Sequence, residues 1–403
     1  TSMTKGSPLK LMLQFALPLL MGNLLQQTYN IIDAAIVGQI LGADALASVG
    51  SSSSVQFLVL GFCIGCCAGF GVPVAKYFGA GDHKTMCNYI FNGAVLVGII
   101  AAVVTTICAV FCPQILHLLS VPEDIFDGAY AYLIIIFLGI PFTLMYNYLS
   151  GILRSVGDSR TPFMFLAFSA CLNIFLDLFC IVVLKWGCAG AAIATILSQA
   201  ISGSLCLVFI IRKMDLLWLK KSNRVVKGSA VKELLLMGIP TGLQFSITAI
   251  GSMVMQSANN GLGSIYVSGF TAGMRIKQFA MCPFDALANG VSVFCSQNLG
   301  AGKIKRIRKG LWQGVGVGFI YGLLIGLVLI FAGRSLSMLF ISADQTAVLD
   351  ASAKYLRCLG FFYWSLGPLS VFRMSAQGMG FSGRAIFSGV TEMIARTFVS
   401  FAF

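Results

Sequence analysis

The sequence predicts an all-α membrane protein whose helices form two related lobes. Three observations support this prediction: an apolar composition, a series of membrane-length segments and an internal repeat. Of the 403 residues, 58% are hydrophobic and 10% are charged, whereas soluble domains carry about 25% charged residues. A chain with so few polar residues cannot face water on all sides, so we expect it to lie in a lipid bilayer.

Eleven segments are long and apolar enough to span a bilayer, which takes about 20 residues. Six of them precede a polar, basic stretch from Arg212 to Lys232, and they lie at residues 9–41, 46–77, 88–111, 129–150, 161–184 and 187–211. Five follow that stretch, at residues 234–258, 265–299, 310–332, 351–375 and 385–403.

Lys and Arg residues are concentrated in alternate loops. One side of the membrane is predicted to hold the amino terminus, the central basic stretch and pairs such as Arg154 and Arg160. The other side holds far fewer, namely Lys185, Arg334, Lys354 and Arg357. Cytoplasmic loops carry the excess of basic residues in membrane proteins, so the amino terminus is predicted to be cytoplasmic. This topology explains the net charge of +13, and nucleic acid is not an expected partner.

Three short motifs recur along the chain at a nearly constant offset. They are Pro18 and Pro240, Gly79-Ala80-Gly81 and Gly300-Ala301-Gly302, and Arg154-x-x-Gly157-x-Ser159 and Gln377-x-x-Gly380-x-Ser382. An even number of spans separates the two copies, so both copies enter the membrane from the same side. They are parallel repeats, related by an axis along the membrane normal.

The repeat divides the chain into two predicted lobes. We expect an amino-terminal lobe of six helices at residues 1–212, a cytoplasmic linker loop at 213–232, and a carboxyl-terminal lobe at 233–403. The second lobe has five predicted helices, so a twelfth helix is expected to be missing after Phe403. Two such lobes around a central cleft are typical of transporters.

Two acids, Asp33 and Asp177, fall within predicted spans of the amino-terminal lobe, where an ionisable group is costly and indicates a functional site. Asp33 follows Pro18 at the same spacing as Asp177 follows Pro162, on helices that run in the same direction. At 1.5 Å per residue, both carboxyls lie about 22 Å past their prolines. The two acids are therefore predicted to share one depth in the membrane.

Two further polar residues are predicted at that depth. Asn173 lies one helical turn before Asp177 on the same face, and Thr195 reaches the same level on the next span. With Asp33, these four side chains could hold a hard cation or a proton. The alternative is that the acids only tie helices together, but without a basic partner in the spans of this lobe that arrangement is expensive.

The carboxyl-terminal lobe carries acids and bases together. Its predicted spans contain Arg275, Lys277, Asp285, Glu392 and Arg396. Internal ion pairs are the simpler interpretation of this polar network, and a role in gating or substrate contact is the alternative.

Pro18 and Pro240 stand at equivalent positions of the two repeats, inside apolar spans. A proline removes a helix hydrogen bond and kinks the helix. We predict hinges there, and movement at Pro18 would displace Asp33; a fixed kink is an equally good interpretation.

Several motifs occur together along the chain. They are Pro18 with Asp33, Gly79-Ala80-Gly81, Gly157-Asp158-Ser159-Arg160-Thr161-Pro162, Asn173-x-x-x-Asp177, and Gly190-Ala191-Ala192-Ile193-Ala194-Thr195 with Ser198-Gln199. As a set they resemble the multidrug and toxic compound extrusion (MATE) transporters over essentially the whole chain. The resemblance implies twelve helices in two lobes and export of organic, often cationic, compounds against an inward flow of protons or sodium. In similar proteins, residues matching Asp33, Asn173, Asp177 and Thr195 form the cation site.

The chain departs from NorM-like members of that family at two places. Where they carry a glutamate in the seventh span, this chain has Thr248, and residues 366–369 of the tenth span contain no acid. A sodium site in the carboxyl-terminal lobe is therefore not expected. The sequence resembles the DinF-like and MepA-like bacterial members, with coupling in the amino-terminal lobe.

The expected function is that of a monomeric antiporter in the plasma membrane of a bacterium, exporting small, often cationic organic compounds in exchange for H⁺ or Na⁺. No cofactor and no metal site are expected. The alternatives are a lipid-linked saccharide flippase of the same superfamily and a channel. An enzyme is not expected. His83, predicted in a cytoplasmic loop, and His117, predicted near the outer surface, are the only histidines, and the sequence contains neither an HExxH nor a GxSxG motif.

Overall fold

The computed structural model of the chain describes residues 2–217 and 219–402. Thr1, Trp218 and Phe403 lie outside the described residues, and with them the predicted lobe limits at residues 1 and 403. The described residues form fourteen α-helices and no β-strand, so the predicted all-α class is confirmed.

The amino-terminal lobe contains the first nine helices. They are α1 (Pro8–Leu41), α2 (Ala43–Ser51), α3 (Ser53–Ala80), α4 (His83–Val110), α5 (Cys112–Leu118), α6 (Glu123–Leu138), α7 (Ile140–Ser155), α8 (Arg160–Leu178) and α9 (Cys188–Lys213). Phe179–Val183 continues α8 as a π-helical turn. The carboxyl-terminal lobe contains the other five, α10 (Gly228–Asn260), α11 (Ser264–Gly300), α12 (Ile304–Ser337), α13 (Thr346–Gly378) and α14 (Ser382–Ala402).

Most of these helices are suited to a bilayer. Among the described residues, nine helices are long and apolar enough to cross it, and the bent pair α6–α7 makes ten. α13 has a comparable length of 33 residues but a less apolar sequence, which includes Lys354, Arg357 and Arg373. Together these helices account for the eleven predicted spans.

The second predicted span, 46–77, is two helices in the structure, and the break falls at Ser52. Three consecutive serines there donate to the main chain of the preceding turn: Ser51 to the carbonyl of Ser48 (2.9 Å), Ser52 to Val49 (3.3 Å) and Ser53 to Gly50 (2.8 Å). Serine hydroxyls that bond locally compete with helix continuation, which explains a break that hydrophobicity did not predict.

The fourth predicted span is bent. α6 and α7 meet at an angle of 46° at Gly139, two residues before Pro141, which lacks the N–H that a straight helix would use. A Cβ at Gly139 would overlap Ile196 of α9, so the bend also brings α7 close to α9.

The central basic stretch packs on the amino-terminal lobe. Asn88 of α4 donates to the carbonyls of Asn223 (3.1 Å) and Val225 (3.0 Å), and Tyr89 donates to Glu233 of α10. α10 begins at Gly228, within the segment predicted as the linker loop, and the contact of Tyr89 with Glu233 holds its first turns against α4.

The two lobes meet along glycine-rich helix faces. Gly65 and Gly69 of α3 lie against Gly242 and Gly238 of α10, and a Cβ at either α3 position would overlap the α10 main chain. Near the end of α3, Gly300 of α11 packs on the main chain of α3 in the same way. Small residues allow helix backbones to approach this closely.

Residues 2–7, before α1, form a strap at this end of the lobe contact. Met3 is buried, and its N–H donates to Oε1 of Gln297 in α11 (2.9 Å). Lys303 donates to the carbonyl of Thr4 (2.7 Å), and Arg306 donates to that of Met3 (3.0 Å). Gln297 in turn donates to the carbonyl of Ser155 in α7 (3.0 Å), so the strap is tied to both lobes.

α12 and α13 pack with their main chains in contact. Gly318, Gly322 and Gly326 of α12 face Gly367, Tyr363 and Gly360 of α13, and a Cβ at any of the three would approach the α13 main chain closely. A glycine every fourth residue gives α12 a smooth stripe for this contact.

Candidate functional site

A cavity of about 610 Å³ lies inside the amino-terminal lobe. Helices α1, α3, α6, α7, α8 and α9 line it. Pro18 and Pro162 mark one end, and Asp33 and Asn173 mark the other. The cavity therefore follows α1 over the whole interval between its proline and its acid.

Asp33 and Asp177 come together in the structure at the Asn173 end. Their carboxyls lie within interaction distance of each other, Asp177 is fully buried, and Asn173 is 4% exposed. Two facing carboxylates have no hydrogen to share, and they repel each other unless a proton or a cation lies between them.

The oxygen atoms around this pair lack donors. At this end of the cavity, the buried oxygens without a hydrogen-bond partner among the described residues include Oδ1 of Asp33, both carboxyl oxygens of Asp177, Oδ1 of Asn173 and Oε1 of Gln199. Buried polar atoms are nearly always paired in proteins. A cluster of acceptors without donors is suited to a hard cation, which takes oxygen ligands, or to a proton.

Thr195 lies near the acid pair, and Tyr29 lies close to both Thr195 and the two acids. The hydroxyl of Tyr29 lies within hydrogen-bonding reach of Thr195, and Tyr29 is close enough to Asp33 and Asp177 for electrostatic interaction. The hydroxyl of Thr195 also donates to the carbonyl of Ala191 (3.1 Å). The four residues predicted from their depth are therefore neighbours.

Three further residues of this site were not predicted. Tyr132 of α6 approaches both acids and is within hydrogen-bonding reach of Gln56, and Gln199 and Tyr29 line the cavity. Tyr29 stands one turn before Asp33 and Gln199 one turn after Thr195, so helical spacing could have identified these two. Tyr132 comes from a different helix and carries no such signal.

The helix that carries Asp177 changes its geometry directly after the site. The π-helical turn of residues Phe179–Val183 begins two residues past Asp177. π-Helical turns occur frequently at functional sites.

Pro18 and Pro240 lie inside the continuous helices α1 and α10. Pro18 is buried and lines the cavity. The hinge role of both prolines stays a prediction.

The charges of the carboxyl-terminal lobe include an ion-paired group around Glu392. Glu392 pairs with Arg396 (2.5 Å) and with Arg373 (3.2 Å), and Arg396 also donates to Ser252 (2.5 Å). Arg373 is an additional member that the sequence did not indicate.

The remaining predicted members do not join that network by ion pairs. Arg275 lies over the ring of Phe340, 5.7 Å from its centre. Lys277 and Asp285 make no salt bridge with described residues, and they line a cavity of about 230 Å³ between α1 and α11. Two turns of helix separate Lys277 from Asp285, which is too far for a direct pair, but Lys277 lies close enough to Glu392 and Arg396 to interact with them electrostatically. The predicted role of this polar network stays a prediction.

Arg154 is in a different environment from the one predicted. The sequence placed it among the basic residues of the cytoplasmic loops, but the structure includes it in the last turn of α7, half-buried and lining the cavity of the amino-terminal lobe. A basic residue at a helix end is usually a topology signal, so its position in the cavity could not be seen from the sequence.

Two parallel helical lobes, with buried carboxylates in a cavity of one of them, define a membrane transporter. The MatE family profile matches residues 18–179 and 240–401, which is most of the chain, and the chain belongs to this family, the MATE multidrug efflux transporters. The profile matches twice, starting at Pro18 and at Pro240, which confirms the internal repeat.

Named relatives agree with this assignment. The chain is 33% identical to a probable multidrug resistance protein, YpnP of Bacillus subtilis, over 90% of this chain and 81% of that one. It is 23% identical to the multidrug export protein MepA of Staphylococcus aureus, over 96% of this chain and 86% of that one.

Solved structures show the same fold. A crystal structure of MATE in complex with MaL6 has a TM-score of 0.88 at 21% identity, over 99% of this chain and 88% of that one. An outward-facing multidrug resistance MATE transporter has a TM-score of 0.87 at 20% identity, over 99% of this chain and 96% of that one. The family match and the named relatives, rather than these structures, make the chain a multi-pass plasma-membrane transporter of small molecules and not an enzyme.

Proposed function

We propose that this transporter is a secondary antiporter, which exports small organic compounds, including cations, in exchange for H⁺ or Na⁺. The observation that carries the proposal is the group of buried oxygens without donors around Asp33 and Asp177. An inward-moving cation bound there neutralises the acid pair and favours one arrangement of the helices. Coupling requires only that the cation and the substrate prefer different states.

The relatives' names support export as the direction of transport, since YpnP and MepA are named for multidrug resistance and multidrug export. The packing of the lobes supports alternating access. The contact of Gly300 with the end of α3 and the strap of residues 2–7 hold the lobes together at one end, which is the predicted cytoplasmic end. The substrate is then released at the opposite end. In this proposal residues 1–212 and 233–403 move as units, joined by the linker.

Asp33→Asn and Asp177→Asn test the coupling. Both variants keep the shape of the side chain and remove the charge, so each is expected to abolish gradient-driven efflux of ethidium from proteoliposomes, under a pH gradient and under a sodium gradient alike. The protein remains folded, because an amide is cheaper to bury than a charged group. The ion whose gradient drives the wild-type protein is the coupling ion.

Asp44→Asn is the matched control, since Asp44 is an exposed acid on α2, and it is expected to transport like the wild type. Normal gradient-driven efflux by Asp33→Asn would show that the coupling site lies elsewhere.

A further inference from the structure

The cavity of the amino-terminal lobe meets a second cavity at Arg154. The second cavity has a volume of about 210 Å³ and lies between the lobes, bounded by α3 and α7 on one side and by α10, α11 and α13 on the other. Ile64, Asn147 and Arg154 line both cavities. A solute between the lobes therefore reaches the inner cavity past the Arg154 side chain.

Among the described residues, no hydrogen bond or ion pair joins the guanidinium of Arg154 to another side chain, and its polar neighbour in electrostatic range is the neutral hydroxyl of Tyr146. Ser150, one turn before Arg154, has a buried Oγ without a hydrogen-bond partner in the described residues, and three other neighbouring hydroxyls donate to main-chain carbonyls. Ser155 donates to the carbonyl of Gly71 (2.9 Å), Ser296 to that of Val72 (3.0 Å), and Thr241 to that of Met237 (2.8 Å). The guanidinium is thus the strongest uncommitted donor at the junction of the two cavities.

The acids of the cation site are too distant to neutralise it. Arg154 lies in the last turn of α7, beside the first turn of α8, which holds Pro162. Asn173, at the acidic end, is about 16 Å further along α8 at 1.5 Å per residue. Asp33 and Arg154 are the only charged residues in the described lining of the two cavities, so the cavity is acidic at one end and basic at the other.

We propose that Arg154 binds an anionic group of the transported compound, and that the substrates therefore include zwitterions and acids bearing a carboxylate or a phosphate. An arginine inside a membrane protein without a partner is costly, and a guanidinium offers paired donors that match a carboxylate or phosphate. The positive charge of a zwitterion stays within the polar lining of the inner cavity. This inference rests on the proposed function, of which it specifies the substrate class.

The repeat indicates a mild substitution for testing this. Gln377 occupies the position of Arg154 in the second copy of the motif and lines the same inter-lobe cavity. The motif glycines that follow, Gly157 and Gly380, share a positive φ, 84° and 97°, so the local backbone is alike in both copies. An amide is therefore compatible with this helix end, and Arg154→Gln is expected to fold.

The experiment measures binding of two dyes to the purified full chain in detergent, by fluorescence anisotropy. Tetramethylrhodamine carries a carboxylate beside its cationic ring system, and tetramethylrhodamine methyl ester carries the same ring system without the free carboxylate. The wild type is expected to bind the acid more tightly than the ester. Arg154→Gln is expected to weaken binding of the acid by about tenfold or more, the size of one charge-assisted contact, and to change binding of the ester by less than about twofold.

Two further variants distinguish the effect of the positive charge at Arg154 from a general change in the structure. Arg154→Lys keeps the positive charge and is expected to retain part of the preference for the acid, while Arg160→Gln removes an exposed arginine of the same motif and is expected to behave like the wild type. The proposal is overturned if the wild type does not prefer the acid, if Arg154→Gln weakens both dyes equally, or if it weakens neither. Because binding needs no ion gradient, failure of the antiport mechanism would leave this result unaffected and would be recognised separately.

Discussion

Tyr29 connects the residues of the acidic end of the cavity, since it lies near both carboxyls and within reach of Thr195. Tyr29→Phe removes only the hydroxyl. We expect the half-saturating concentration of the coupling ion for efflux to change by about two- to tenfold, the effect of one hydrogen bond of ~0.5–1.5 kcal/mol. The measurement is ion-dependent efflux from proteoliposomes. Tyr130→Phe, on an exposed tyrosine of α6, serves as the control, and an unchanged ion dependence in Tyr29→Phe would exclude the hydroxyl from the site.

Single site residues could be predicted from the sequence where a charged residue lies inside an apolar span, because such residues are rare. Asp33 and Asp177 stood out because an acid inside an apolar span needs a reason, and helix geometry was enough to place them at one depth. Arg154 did not stand out, because arginines at helix ends are common, and only the fold shows which face of α7 it occupies. For the same reason the sequence could not show that Lys277 and Asp285 make no direct pair with each other, because charge balance in a sequence does not show which side chains meet.

At the scale of helices, the contact between lobes depends on positions where no side chain fits. Gly300→Ala would place a Cβ on the main chain of Lys76, so we expect a destabilisation of about 1–3 kcal/mol, typical of overpacking. Gly316→Ala is the matched control on α12, where a Cβ meets nothing within 4 Å, and it is expected to be neutral or slightly stabilising. Thermal unfolding in detergent measures both, and equal melting temperatures for the two variants would contradict the close packing at Gly300.

Helix positions were predictable from hydrophobicity, and helix interruptions were predictable only in part. The bend between α6 and α7 accompanies Pro141, which is visible in the sequence. The break at Ser52 accompanies serine hydroxyls that bond to the preceding turn. The early start of α10 accompanies the contacts of Asn88 with the central stretch and of Tyr89 with Glu233 of α10. Such interactions are decided by neighbouring groups, which an apolar window does not detect.

At the scale of the whole molecule, the distribution of basic residues predicts which side faces the cytoplasm. Lys221→Cys, in the central stretch, is expected to react with a membrane-impermeant maleimide in inside-out vesicles but not in intact cells. Lys185→Cys is expected to react in intact cells but not in inside-out vesicles. Background labelling of native cysteines is expected to be low, because eleven of the thirteen are not exposed. The two exposed cysteines, Cys171 and Cys358, are replaced by Ala in both variants. Labelling of Lys221→Cys from outside would reverse the assigned orientation.

The glycine stripe of α12 has a consequence for measuring motion in this transporter. Because α12 and α13 touch along their main chains, neither can rotate or shift lengthwise without a steric clash. A pair of spin labels, one on each of these helices, should report a constant separation throughout the transport cycle. The same pair therefore provides a fixed reference distance. Changes in the distance from this pair to a label on α1 or α3 would then measure the displacement of one lobe relative to the other.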